Sequence, residues 1–346
     1  MIITEKLRGK KILLLSVQTF NYEKIIADKL RVLGANVDYY DERPSNSLFA
    51  KGIIRLKRSF YQKRIDKYYR RILKDAITIN YNYLFVIRGE VVPEFFLQEF
   101  RNDHPDCIFL FYTWDSFANH THPISIQKYF DKRFTFDSND AKKYDLFFRP
   151  LFFMDEYKEL SKERRVKAIY DVLFLGTAHS DRYKIGNEIM EWCISNHLTG
   201  LAYYYMQGRL VFLYKKFFDK TFQRFDIKKI SFKSLDAKDI IELYRQSSVI
   251  LDINHPGQNG LTMRTFEALG AGKKLITTNS KIAEFPFYDP NNIMIINREN
   301  PILNKDFFNI PFVEISDELL HKMSIIGWFE SIFIESEPNY WLQGFK

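Results

Sequence analysis

The run from Leu251 to Asn279, LDINHPGQNGLTMRTFEALGAGKKLITTN, gathers residue types that together hold a phosphorylated ligand. An apolar strand pattern ends near Ile253, a polar loop carries Gly257 and Gly260, and helical spacing starts near Leu261. The start of a helix offers backbone N–H groups and the positive end of its dipole, which suits phosphate. Arg264 falls in the first turn, where a guanidinium can grip the same oxygens in two-pronged fashion, and Glu267 shares its face three residues later. A carboxylate there suits the paired hydroxyls of a ribose. His255, before Pro256, is placed to meet donor sugar or phosphate, or to be a plain loop residue. The alternative is an ordinary strand, loop and helix with Arg264 and Glu267 as a surface ion pair. Neither GxGxxG nor GxxxxGKS/T occurs, which argues against dinucleotide and P-loop chemistry.

A second cluster lies between Phe111 and His122, FYTWDSFANHTH. Asp115 follows a strand pattern at its carboxyl end, where a carboxylate could take the proton from an attacking hydroxyl. Glu90, beyond the strand that ends at Ile87, is the other candidate base. The competing reading has Asp115 capping the next turn and Glu90 solvated. His120 and His122 with Asp115 match none of the stronger zinc spacings, so no metal is expected.

These residues need a scaffold, and the hydrophobic pattern supplies one. Strands are predicted at Lys11 to Val17, Val37 to Tyr40, Tyr83 to Ile87, Ile108 to Tyr112 and Arg133 to Phe136, with helices between them. The alternation restarts at Tyr170: strands at Asp171 to Leu175, Lys229 to Phe232, Val249 to Ile253 and Lys274 to Thr277 alternate with helices near 183–195, 237–247 and 262–269. Such alternation predicts an α/β protein of two Rossmann-like, doubly wound domains facing a cleft, with ligands at the carboxyl ends of the strands. The expected division is residues 1–155 on the acceptor side, residues 168–320 on the nucleotide side, and a tail, 321–346, packing back on the first domain through Trp328, Tyr340 and Trp341.

With 346 residues, 33 Phe and 21 Tyr, the chain has apolar surface enough for two cores. Two cysteines, Cys107 and Cys193, do not make a disulfide framework, and no run is long and apolar enough to span a bilayer. A cytoplasmic protein is expected. The charge is concentrated: Lys51 to Asp75 holds ten Lys or Arg against two acids, an excess equal to the net charge of +8. Ile53, Ile54, Leu56, Phe60, Tyr61, Ile65, Tyr68, Tyr69, Ile72 and Leu73 form an apolar stripe in the same segment. One helix could therefore dock on a sheet and show charge to an anionic membrane on its inner face, or simply cover the core with a solvated basic side. A second cationic, aromatic stretch runs from Arg209 to Lys229. No helix-turn-helix, zinc-finger or RNP pattern accompanies the charge, so nucleic acid is not an expected partner.

RTFEALGAGKKLITTN resembles the donor-binding segment of GT-B glycosyltransferases. Paired with YDVLFLGTAHSDRY, it is similar to the CgeB-like, group 1-like enzymes of bacterial surface-polysaccharide biosynthesis. The resemblance covers Tyr170 to Pro290 well and the first half only in its element order. It implies a metal-independent glycosyltransferase, needing no cofactor, that moves a sugar from a nucleotide-diphosphate donor, UDP by preference, to a glycan or lipid-linked acceptor. It also implies a donor site of Gly176, Thr177, Arg182, His255, Gly257, Asn259, Gly260, Leu261, Thr262, Arg264 and Glu267, with Asp115 or Glu90 as catalytic base. Many retaining members carry a second Glu eight positions after the first; here that position is Leu275, which leaves the stereochemical outcome open. The rivals are a non-catalytic nucleotide-sugar-binding protein and a nucleic-acid-binding protein using the basic helix.

Overall fold

A computed structural model describes residues 2–47, 50, 52–54, 58–163, 167–178, 180–218, 225–334 and 340–342. The chain divides into two compact units, one of residues 1–150 with 328–342 and one of residues 151–327 with 343–346.

The first unit is built on six parallel strands: β1 (Lys11–Ser16), β2 (Asn36–Asp41), β3 (Tyr83–Ile87), β4 (Ile108–Thr113), β5 (Lys132–Thr135) and β6 (Phe147–Phe148). Their spatial order is β2-β1-β3-β4-β5-β6, so the winding reverses between β1 and β3. β1, β3 and β4 read as nearly unbroken apolar runs because a parallel sheet covered on both faces has no wet side. Alternate residues serve the two faces. Leu13, Leu15, Leu84, Val86, Phe109 and Phe111 share a core with Ile65, Tyr69 and Ile72 of the helix Gln62–Ala76 and with Phe96 and Phe100 of the helix Glu94–Asp103. On the other side Phe85 and Tyr112 meet Trp328, with ring centroids 5.7 and 4.9 Å apart, and Tyr83 and Phe85 meet Phe333. Trp328 and Phe333 belong to the helix Ile325–Phe333, within which the chain returns from the second unit to the first.

The helix Gln62–Ala76 spends its apolar stripe on this core, so that face is not available to a membrane. Lys63, Arg64, Lys67, Arg70, Arg71 and Lys74 point into solvent. Lys51, Arg55, Leu56 and Lys57 lie outside the described residues.

The second unit holds β7 (Tyr170–Thr177), β8 (Gly200–Tyr205), β9 (Ile230–Ser231), β10 (Ser247–Asp252), β11 (Lys274–Thr277) and β12 (Ile293–Ile295), again all parallel, in the order β12-β11-β10-β7-β8-β9. The winding reverses between β7 and β10. The rule for open α/β sheets places a ligand just beyond the carboxyl ends of such a pair. One core of this unit joins Phe174, Val249, Leu251 and Ile276 to Ile185, Ile189 and Cys193 of the helix Arg182–Ser195. β8, GLAYYY, and the short β6 and β12 were not among the predicted strands. Leu275 is buried in β11, paired with Ile250 and Ile293, so no carboxylate stands where many retaining enzymes place one.

Replacing Trp328 by Ala should cost about 3–5 kcal/mol in urea unfolding of the whole chain, and Trp328→Phe distinctly less, because the ring fills the space against Phe85 and Tyr112. Equal, small effects of both substitutions would show that the returning helix is dispensable.

Candidate functional site

The sheet ladder of β10 ends at Asp252, and the next two carbonyl oxygens are taken by arginines. Arg182, the first residue of its helix, donates from Nε to the Ile253 carbonyl at 2.7 Å and from Nη1 to Thr177 Oγ1 at 3.3 Å. Arg298, three residues beyond β12, donates from Nη2 to the Asn254 carbonyl at 2.7 Å, to Asn254 Oδ1 at 2.6 Å and to Thr278 Oγ1 at 3.0 Å. Its Nη1 binds both oxygens of Asp181 at 2.7 and 2.8 Å. Arg264 lies close enough for its charge to act on Arg182. Burial pulls the Arg182 guanidinium down to about 10, opposed by the Asp252 carboxylate and assisted by the charges of Arg264 and Arg298. These guanidinium groups lie at the carboxyl ends of β7 and β10 with Asp181 and Asp252 as the nearby acids.

The loop 253–262 is held by its own polar groups. Asn254 Nδ2 donates to the Gln258 carbonyl at 2.9 Å, Gln258 Nε2 to the Gly260 carbonyl at 3.0 Å, and Asn279 Nδ2 to the Asn259 carbonyl at 3.0 Å. The Gly257 N–H donates to His255 Nδ1 at 3.3 Å, which gives the exposed His255 a part in shaping the loop. Thr262 is the residue before the helix Met263–Gly270, but it makes no side-chain cap: its hydroxyl donates to Asp252 Oδ2 at 2.8 Å, alongside Thr265 at 3.3 Å. The N-terminus of that helix is thus left uncapped by the Thr262 side chain.

Burial and packing bear on three of the residues named from the sequence, and they remove the alternative of a surface ion pair. Arg264 and Glu267 are not a surface pair: Glu267 is only 3% exposed and accepts from the buried Tyr244 hydroxyl at 3.4 Å, and Arg264 is half-buried. Leu261 is buried. Gly176 sits where a side chain would strike the Phe174 ring at 2.6 Å, so packing within β7 already accounts for a glycine there. Arg298 and Asp181 were missed. The signal for Arg298 was a cation just beyond a three-residue apolar strand too short to recognise.

The first unit has its own polar cluster at matching strand ends. Glu42 follows β2, Arg88 to Glu90 follow β3, and Asp115 follows β4. Arg88 has φ 91 and Gly89 φ 70, and a Cβ on Gly89 would meet Phe111 at 2.9 Å. A bulky residue held in such a region is a store of strain that the surroundings must over-determine. They do: the buried Glu42 accepts from the N–H of Gly89 at 2.8 Å and of Glu90 at 2.6 Å. Burial pushes Glu42 up to about 8, with the Gly89 N–H pulling the other way.

Glu90 is buried, not solvated, and forms an ion pair with Arg43 and a longer one, 3.8 Å, with Arg88. Burial raises its pKa, but Arg88, Arg43 and His120 outweigh that and hold it below the usual carboxylate value. Asp115 pairs with Arg88 Nε at 2.8 Å, and its side chain is 32% exposed. His120 Nε2 lies 2.7 Å from Arg88 Nη2. Tyr68 and Tyr69 of the basic helix donate to the carbonyls of Asp41 and Glu42, and Arg58 donates to the Val91 carbonyl, so the basic segment buttresses this cluster. Among the described residues no three His, Cys, Asp or Glu lie together as a metal site would require. A concavity of about 450 Å³ opens at the opposite, amino end of β10 and β11, lined by Arg245, Gly272, Lys274, Phe308 and Leu320, away from all of these residues.

No family model matches the chain, and no curated protein matches it by sequence. Solved structures do match over nearly the whole length. The UDP-forming α,α-trehalose-phosphate synthase of Burkholderia xenovorans, solved with glucose 6-phosphate, aligns at TM-score 0.60 and 12% identity, covering 93% of this chain and 98% of its own. A glycosyltransferase from Rickettsia africae aligns at 0.55 and 14%, covering 95% and 100%. An α-glucosyltransferase in complex with UDP and a mismatched 13-mer DNA aligns at 0.55 and 9%, covering 94% and 93%. The fold is that of the GT-B glycosyltransferases. It accounts for the two Rossmann-like units.

His122 supplies a pH test. Burial and the charge of Arg58 bring its pKa down to about 4, against the hydrogen bond to the Val92 carbonyl at 2.8 Å. A histidine whose folded pKa lies below its unfolded one contributes stability that is complete above about 6.5 and is lost as pH falls towards 4. The loss should approach about 3 kcal/mol, read as the difference in unfolding free energy between the wild type and His122→Gln across that window. A constant difference would show that His122 does not titrate this way.

Proposed function

We propose that the chain is a glycosyltransferase taking a UDP-sugar as donor. The observation that carries this is the convergence of Arg182 and Arg298 on one strand-end loop at the point where the second sheet reverses, with the charge of Arg264 acting on Arg182. A diphosphate needs dense positive charge, and transfer needs that charge most as the leaving group departs. The three arginines and the uncapped start of the helix Met263–Gly270 would take the diphosphate, while the loop from His255 through Gly257, Asn259 and Gly260 borders the sugar. Glu267 is assigned the ribose on the strength of the resemblance, with Tyr244 holding its carboxylate in place. Thr177 and Thr262 orient Arg182 and Asp252 and so act on the donor at one remove.

Of the two candidate bases, Asp115 is favoured. Glu90 is buried and held in its ionised form by two arginines, which makes it a poor proton acceptor, whereas Asp115 reaches solvent. In this reading Arg88 aims Asp115 at the acceptor hydroxyl, and Glu90 and Glu42 fix Arg88 in its left-handed conformation. UDP is chosen over other carriers because UDP is named for two of the similar structures. A glycan or lipid-linked acceptor of bacterial polysaccharide synthesis, with no cofactor or metal, completes the proposal. The competing reading, a protein that binds sugar nucleotides without turning them over, differs in its outcome at Asp115.

Calorimetry with UDP, GDP, CMP, dTDP and NAD should show binding of UDP, weakened at least about tenfold in Arg298→Ala, corresponding to roughly 1.4 kcal/mol, with the circular dichroism unchanged. Slow release of UDP from UDP-sugar should then fall by about two orders of magnitude or more in Asp115→Asn, with UDP affinity unaltered. Absence of any nucleotide binding would refute the donor site; binding without turnover would favour the sensor reading.

A further inference from the structure

The helix Arg209–Phe218, RLVFLYKKFF, is built inside out. Its one buried side chain is Phe212, packed edge-on near Phe232. Leu210, Leu213, Tyr214, Phe217 and Phe218 are between 47% and 82% exposed. Spacings of three, four, seven and eight residues put these five on one continuous face of the helix, directed away from the core. Scattered exposed apolar residues need no explanation, but a stripe of five, three of them aromatic, is a contact surface.

Cations border the stripe. Arg209 and Lys216 are exposed on the same helix, with Lys215 half-buried beside them, and Lys228, Lys229 and Lys233 are exposed around the edge strand β9, near the partly exposed Ile227. Arg209 lies over the Phe232 ring, which ties the helix to that edge. A second copy of this chain would bring the same positive charge to the contact and be repelled. An anionic bilayer brings the opposite charge and an apolar interior together.

We infer that the face Leu210, Leu213, Tyr214, Phe217 and Phe218 lies in the interfacial layer of an anionic membrane, with Arg209, Lys216, Lys228, Lys229 and Lys233 meeting the headgroups. The site is distinct from the basic helix Gln62–Ala76, whose apolar face is buried. Because the helix begins four residues after β8 ends, it leaves the sheet at its carboxyl edge, the end of the second unit that carries the three arginines. This inference does not depend on the donor being a UDP-sugar.

The full chain is tested by flotation with vesicles of phosphatidylcholine alone and of phosphatidylcholine mixed with phosphatidylglycerol. Binding is expected to the mixed vesicles only, to weaken as salt is raised, and to fall at least about tenfold in the variant Leu210→Ser, Leu213→Ser, Phe217→Ser, Phe218→Ser. These side chains are exposed, so thermal unfolding should be unaltered. Three results overturn the inference: no flotation of the wild type; undiminished flotation of the serine variant with loss on reversing Lys63, Lys67 and Lys74 to Glu; or a concentration-dependent dimer in light scattering that the serine variant abolishes.

Discussion

Where a parallel strand runs out of neighbours, its last carbonyl oxygens still need donors, and in the second unit the donors are guanidinium groups. Arg182 and Arg298 close the backbone at Ile253 and Asn254, and everything at that end of the sheet follows from the choice. Two arginines brought to adjacent carbonyls set two guanidinium groups side by side at one strand end, with Asp181 and Asp252 next to them. They also tie three separate elements to one loop: the helix after β7, the loop after β12 and, through Thr278, the end of β11. The loop is therefore held by hydrogen bonds from several elements, an arrangement that lowers the ordering cost of binding. Asp181 and Asp252 temper the charge without cancelling it.

The first unit solves a related problem differently. Its strand ends gather Arg43, Arg88, Glu42, Glu90 and Asp115 into a nearly self-neutralising network, anchored by a buried carboxylate on two backbone N–H groups. The strained Arg88 is the element that such a network maintains. An arginine in a relaxed conformation would swing clear of Asp115, so the strain is the physical means by which one cation is kept between two carboxylates 3.8 and 2.8 Å away. The basic helix that dominates the charge of the sequence stands behind this arrangement through Tyr68 and Tyr69, a role in which its hydroxyls matter more than its lysines.

Most of the parallel strands were legible because buried strands write themselves as apolar runs: KILLLS, YLFVI and IFLFYT admit few other readings. β8 escaped because GLAYYY is half-exposed and aromatic, without a clean period, and β12 because three residues carry too little pattern. In the donor region Arg264 and the loop glycines were visible from local spacing, and Arg182 from the resemblance. Arg298 was not, since it joins them only through the folding of a chain more than a hundred residues long between it and Asp181. Burial was the least legible property. Glu42, Glu90, Glu267 and Leu261 are polar or apolar by type, but whether each faces a ligand or the interior is decided by neighbours remote in sequence, such as Arg43 for Glu90 and Tyr244 for Glu267.

The helix Ile325–Phe333 carries a consequence for biosynthesis. The rings that Trp328 and Phe333 cover belong to β3 and β4, yet more than two hundred residues are synthesised between those strands and the helix. A first unit emerging from the ribosome thus lacks this cover over β3 and β4 while most of the second unit is being made, and Tyr83, Phe85 and Tyr112 without it are the kind of surface on which nascent chains aggregate. Nearly all of the second unit, residues 151–327, is made before that helix is complete. The N-terminal unit can then close over β3 and β4 only after the helix Ile325–Phe333 has been made. Premature termination near the C-terminus would for this reason damage the unit made first.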